Sequence, residues 1–166
     1  MSITAAIICA VVYAVINWLD PYLLSWQCLN RPIVVAPLVG LLLGDFQTGI
    51  IMGASLEAIF MGISAVGGSV PSDCLSGSII AVAYAIVVGG DGAVETGLGL
   101  SLTIGTVMST VSTMLMPLWA GLAPYWEKLA SECKPNKFRA MALLVNLISS
   151  LPGATIIFLG VAFGIE

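Results

Sequence analysis

Two runs of this chain, residues 98–119 and 141–164, contain no charged side chain at all. Each is long enough to cross a bilayer, which takes about 17–25 helical residues. Residues 3–19 and 49–66 make two more runs of spanning length. In lipid a backbone must satisfy its own hydrogen bonds, so such runs fold as helices. Composition agrees, with 8% charged and 59% hydrophobic residues against about 25% and 45–50% in soluble domains. The chain reads as an all-α integral membrane protein, a polytopic helical bundle forming a single membrane domain over residues 1–166. No long soluble domain fits between the runs, so soluble chemistry has to come from a partner chain.

Two shorter runs complicate the bundle. Residues 33–43 lie between Pro32 and Gly44 and contain Pro37; residues 74–88 are flanked by glycines. Runs this short suggest broken or re-entrant helices, tolerated where irregular backbone lines a protein-enclosed cavity. Breaks fall at Asn30–Pro32, at Gly44–Asp45, from Gly67 and Gly68 to Asp73, and at Gly89–Gly92. Half-helix ends offer partial charges to a solute, which makes residues 67–73 a candidate pore lining; ordinary interfacial turns have a similar composition. Small residues also repeat at helical spacing, at Ala54, Ala58 and Gly62, and at Gly97, Ser101, Gly105, Ser109 and Thr113. Such ridges let helices approach closely, within one chain or between copies.

The N-terminal run has no Lys or Arg before it, unlike a cleavable signal peptide. It reads as a retained helix ending near Trp18, Asp20 and Pro21 at an interface. Four of the five basic residues, Lys128, Lys134, Lys137 and Arg139, lie in the loop near 125–139, which the positive-inside rule makes cytoplasmic. Residues 89–97 then lie outside, and the charge distribution excludes nucleic-acid binding. There is no histidine, and hence no phosphohistidine, and the chain carries no Walker, Rossmann or nucleophile-elbow motif. No cofactor and no metal site is expected. Cys9, Cys28, Cys74 and Cys133 are scattered and read as small buried hydrophobes.

Against this background Glu57 stands out, as the one charge between Gly49 and Val66. An ionised side chain at bilayer depth costs at least about 2.5–3.5 kcal/mol and persists mainly where it faces a cavity or a partner. A helix through Glu57 presents Gly53, Ala54, Phe60, Met61 and Ser64 on the same face. A carboxylate beside an aromatic ring suits a sugar, and equally a proton or sodium ion. The competing structural reading pairs Glu57 with Arg31 or has it cap a broken helix. Asp73 follows Pro71 and either caps the next helix or supplies a second solute-binding carboxylate. Asp45 is a further candidate cap, and Gln27 can offer amide hydrogen bonds. The charge of Arg31 has to meet lipid phosphate, Asp45, Glu57 or an anionic ligand. The competitors to a sugar site are an ion- or proton-coupled secondary transporter, with Glu57 as its coupling carboxylate, and a membrane scaffold.

In order, Asn30-Arg31-Pro32-Ile33-Val34, Gly40 to Gly49 with its Gly44-Asp45 and Gln47-Thr48-Gly49, Gly53 to Glu57, and Gly67 to Asp73 form a specific pattern. It resembles the membrane component IIC of the mannose/fructose/sorbose/N-acetylgalactosamine group of bacterial sugar phosphotransferase systems. The match is clear over about residues 30–80. The resemblance implies a permease of the bacterial inner membrane that holds a hexose or amino-sugar while a soluble phosphorylated IIB component phosphorylates it. It also implies a membrane partner IID, a homo-oligomer, and an inverted-repeat transporter fold of which this chain is a truncated or N-terminal portion. Glu57, Asp73, Gln27, Ser64 and Phe60 are then the expected sugar contacts. Arg31, Pro32, Asp45, Gly67 and Gly68 are expected to be structural or gating residues. Cys28 stands where some members place a site glutamine, and Ala65 where mannose-type members have asparagine, so an amino-sugar or another hexose fits as well as mannose.

Overall fold

The computed structural model describes residues 3–23, 28–63, 70–90 and 92–163, excluding the side chains of 21–23. These residues form seven helices: α1 (Ile3–Leu23), α2 (Pro32–Leu43), α3 (Phe46–Phe60), α4 (Cys74–Val88), α5 (Ala93–Ala120), α6 (Ala123–Ser131) and α7 (Pro135–Phe163). Three of them, α1, α5 and α7, are long and apolar enough to cross a membrane. Helix α5, with 28 residues, spans roughly 42 Å at 1.5 Å per residue.

One of the three short apolar helices, α4, sits innermost. Helix α4 packs against α1, α2, α3, α5 and α7 and buries every residue from Leu75 to Ala83. A helix buried all round has no need of a polar face, and α4 has none that is continuous. The long helices instead pair one buried stripe with a lipid-type face. On α1, Ala6, Cys9, Tyr13 and Ile16 point inward while Ile3, Ile7, Val11 and Val15 are exposed at four-residue spacing. On α7, Ser150, Gly153, Ile157 and Val161 are buried, and Leu144, Leu147, Leu151 and Leu159 are exposed.

Helices α2 and α3 form a tight hairpin. The chain reverses at Gly44, which has φ 92°, and Asp45 stops the fraying of α3 by accepting from Thr48 N at 3.0 Å and Thr48 Oγ1 at 2.6 Å. The helices then approach through glycine. A Cβ on Gly40 would lie 2.8 Å from the Gly49 Cα, and one on Gly49 would lie 2.7 Å from the Ala36 carbonyl oxygen.

This hairpin corrects the reading of residues 49–66 as a spanning helix. Helix α3 has 15 residues and gives way at Met61 to Gly62, at φ 89°. A left-handed glycine ends a helix without changing hydropathy, which is why a hydropathy window runs through it. It also dissolves the ridge Ala54–Ala58–Gly62: Ala54 and Ala58 are exposed, and Gly49 and Gly53 do the packing. The second ridge is realised within the chain from Gly97 to Ser109, all buried, whereas Thr113 is exposed. A Cβ on Gly97 would lie 2.9 Å from the Ala81 carbonyl oxygen, so α4 and α5 nearly touch along their backbones.

Asp20 is withdrawn from solvent. It is fully buried within α1, and Oδ1 accepts from the backbone N–H groups of Cys28 at 3.2 Å and Leu29 at 2.8 Å. Cys9 is buried and Cys74 partly so, but Cys28 and Cys133 are exposed, against the expectation for them.

Candidate functional site

Two helices begin at the same place. Arg31 is the N-cap of α2 and Asp73 the N-cap of α4, and Pro32 occupies the first turn of α2, where its missing N–H costs nothing. The Cys74 thiol donates to the Asn30 carbonyl at 3.4 Å, tying the two starts together. The segment before α4 is anchored to α5, where Asp73 N donates to the Gly105 carbonyl at 2.9 Å and the Ser109 hydroxyl donates to the Val70 carbonyl. Gly105 has no side chain because Ser72 and Asp73 occupy that space.

One start carries a guanidinium and the other a carboxyl group. Arg31 donates through Nε to Glu57 Oε1 at 2.8 Å, and a second guanidinium nitrogen donates to the same oxygen. Glu57 Oε2 accepts from Ile33 N at 3.3 Å, near the positive end of α2. Both structural alternatives for Glu57 are therefore realised together: it pairs with Arg31, and it caps the broken helix. The hairpin makes this possible, since folding α3 back along α2 returns Glu57 to the level of Arg31. The pair is only partly buried, with side chains 31% and 20% exposed. Asp73 has no ion-pair partner among the described residues. Its Oδ1 accepts from Leu75 N at 3.2 Å.

A cavity of about 590 Å³ opens above these starts, between α1, α5 and α7. Arg31, Asp73, Phe60, Asn30 and Ser72 form one end of its lining. Asn17, Ser112, Asn146 and Ser149 supply polar groups along its length, and Trp119 and Trp126 lie among its aromatic walls. Two buried polar atoms in this lining, Asn30 Oδ1 and Ser72 Oγ, have no hydrogen-bond partner among the described residues. Native interiors rarely leave such groups unpaired, and a polar ligand is one way to satisfy them.

Of the expected sugar contacts, the structure brings Asp73 and Phe60 to the cavity. Glu57 stands behind Arg31, which lines it, and does not itself form part of the wall. Gln27, Ser64, Gly67 and Gly68 lie outside the described residues. Pro32 is buried at the start of α2. Asp45 lies at the far end of that 12-residue helix, roughly 18 Å away at helical rise, and is a structural cap rather than part of the cavity. Sequence reasoning passed over Asn30, Ser72, Asn17, Asn146 and Ser149. The amides of Asn17 and Asn146 carried a usable signal, as polar groups inside apolar runs.

The match to the family model of the sorbose-specific IIC component of phosphotransferase systems covers residues 3–166. The chain belongs to this family. It is therefore a multi-pass integral membrane protein of the phosphotransferase system, in the mannose-type group of IIC components. The N-acetylgalactosamine permease IIC component 1 of Escherichia coli (strain K12) is 30% identical over 131 residues, covering 79% of this chain and 48% of that protein. The mannose-specific EIIC component of the same strain is 33% identical over 103 residues, covering 62% and 38%. This chain thus matches less than half the length of either relative. A solved structure of the mannose transporter ManYZ in complex with a microcin has a similar fold, with a TM-score of 0.77 and 21% identity, over 98% of this chain and 65% of that one.

Proposed function

We propose that this chain forms the sugar-holding part of a IIC permease, with a hexose or amino-sugar seated where α2 and α4 begin. The observation that carries the reading is the convergence of an arginine, a carboxylate and two unpartnered polar atoms, Asn30 Oδ1 and Ser72 Oγ, in one cavity inside a membrane bundle. Sugar hydroxyls both donate and accept. Asp73 accepts from them, the free guanidinium N–H groups of Arg31 donate to them, and Phe60 packs against the C–H face of the ring. Glu57 acts chiefly by holding Arg31 in place. A cavity of this size falls within the range usual for small-molecule sites, roughly 300–1,000 Å³.

Phosphoryl transfer needs a second chain, because this one has no histidine. In the proposed cycle a sugar hydroxyl oxygen attacks the phosphorus carried by a soluble IIB partner. The P–N bond to that partner's histidine breaks, and the hydroxyl proton is released. A membrane IID partner would complete the enclosure, and the assembly would be a homo-oligomer of such units.

The test is uptake into vesicles carrying the chain and its membrane partner, supplied inside with phosphorylated or unphosphorylated IIB. The proposal expects labelled sugar to accumulate as sugar phosphate, and only with the phosphorylated carrier. Accumulation of unmodified sugar driven by a proton or sodium gradient would contradict it and favour an ion-coupled transporter.

A further inference from the structure

The corner between α6 and α7 carries a second groove, which shares no lining residue with the sugar cavity, although Trp126 of that cavity's wall packs on Phe138. A groove of about 500 Å³ is lined by Leu129, Ala130, Cys133, Lys134, Pro135 and Phe138. Leu129 is buried beneath it, and Phe138 packs edge-on against Trp126 with ring centroids 4.8 Å apart. The groove is apolar, yet four of the chain's five basic residues, Lys128, Lys134, Lys137 and Arg139, fall within the twelve positions around it. Two acidic residues, Glu127 and Glu132, offset them in part. Lys134 pairs with Glu132 at 2.5 Å, but both side chains are well exposed, and such pairs exchange readily.

We propose that this corner is a binding site for an anionic phospholipid of the cytoplasmic leaflet. The argument is charge complementarity combined with depth. Helix α6 is short and amphipathic, and it sits between two spanning helices with Tyr125, Trp126 and Phe138 in or beside it, as interfacial helices do. A lipid bound there lays its glycerol and upper acyl carbons on Leu129, Pro135 and Phe138, and presents its phosphate to Lys134, Lys137 and Arg139. The first turn of α7 contains no acidic residue to compete. A soluble phosphate would gain the charges and leave the apolar floor bare; a neutral lipid would gain the floor and leave the charges unused.

The experiment is native mass spectrometry of the detergent-solubilised chain, titrated with phosphatidylglycerol and phosphatidylcholine of identical acyl chains. The expected result is saturable binding of phosphatidylglycerol at least about tenfold tighter than phosphatidylcholine, with about fivefold lost for each basic charge removed in Lys134→Gln/Lys137→Gln. Phe138→Ala keeps every charge and is expected to weaken phosphatidylglycerol binding as well, with folding checked by thermal melting. Inorganic phosphate at millimolar concentration should not displace the lipid. Equal binding of the two lipids overturns the proposal and leaves the basic face to an acidic soluble protein. Full phosphatidylglycerol preference in the charge variant, or undiminished phosphatidylglycerol affinity in folded Phe138→Ala, overturns it too, since neither the basic face nor the apolar floor would then be what the lipid binds. None of these outcomes depends on sugar binding.

Discussion

The starts of α2 and α4 face one cavity, but their charges are deployed differently. At α2 the carboxylate of Glu57 is consumed: one oxygen takes the Arg31 guanidinium and the other takes the Ile33 amide. At α4 the carboxylate of Asp73 caps its own helix, accepting from Leu75 N, and lines the cavity. The residue that dominates the apolar sequence is thus the one held in an ion pair, and Asp73 has no such partner among the described residues. In the proposed reading, a place on the cavity wall, and not isolation in sequence, makes Asp73 the acceptor that a ligand meets.

The largest expected effect comes from breaking the hairpin that allows the α2 arrangement. Gly49→Val places carbon against the Ala36 carbonyl and the Gly40 backbone, where backbone cannot yield. We expect a loss of about 3 kcal/mol, read as a lower melting temperature in detergent, together with loss of sugar binding because Glu57 no longer reaches Arg31. Unchanged melting would mean that the two helices are not so close.

Glu57→Gln and Asp73→Asn then separate the two starts. Removing the Glu57 charge leaves Arg31 unpaired in a partly buried setting, at an expected cost of about 1–2 kcal/mol in stability, below that of a fully buried pair. The paired exchange Arg31→Glu/Glu57→Arg should recover part of that stability without recovering sugar affinity. Asp73→Asn keeps a good N-cap, so stability should change by less than about 0.5 kcal/mol while sugar affinity falls at least about tenfold, or 1.4 kcal/mol. Both are read by thermal melting and calorimetric titration on the same preparations.

The smallest expected effect lies at the hairpin tip. Asp45→Ala removes the cap on α3 and should cost about 1 kcal/mol, with no change in sugar affinity. A change in affinity would make the hairpin tip part of the transport path.

Much of this was legible in sequence, for identifiable reasons. The short runs at 33–43 and 74–88, the packing ridge on α5 and the caps Asp45 and Asp73 all follow from local chemistry: proline, glycine, and a carboxylate before an apolar run. The alternative of Glu57 pairing with Arg31 was also available, because one unmatched cation and one unmatched anion in apolar surroundings seek each other. The length of α3 was not legible, since the φ of Gly62 leaves no mark on hydropathy. Nor were Asn30 and Ser72, whose importance arises only where the two helix starts meet. The burial of Asp20 was not legible for the same reason, with backbone amides eight and nine residues on among its partners.

The central claim is that Asp73 meets the sugar directly while Glu57 acts through Arg31. Titration of mannose and N-acetylgalactosamine into wild type, Asp73→Asn and Glu57→Gln, each reconstituted with the membrane partner and each with its melting temperature recorded, tests it most directly. The account predicts that Asp73→Asn loses affinity at wild-type stability, whereas Glu57→Gln loses stability and affinity together. Full affinity in Asp73→Asn, or lost affinity at wild-type stability in Glu57→Gln, would contradict it.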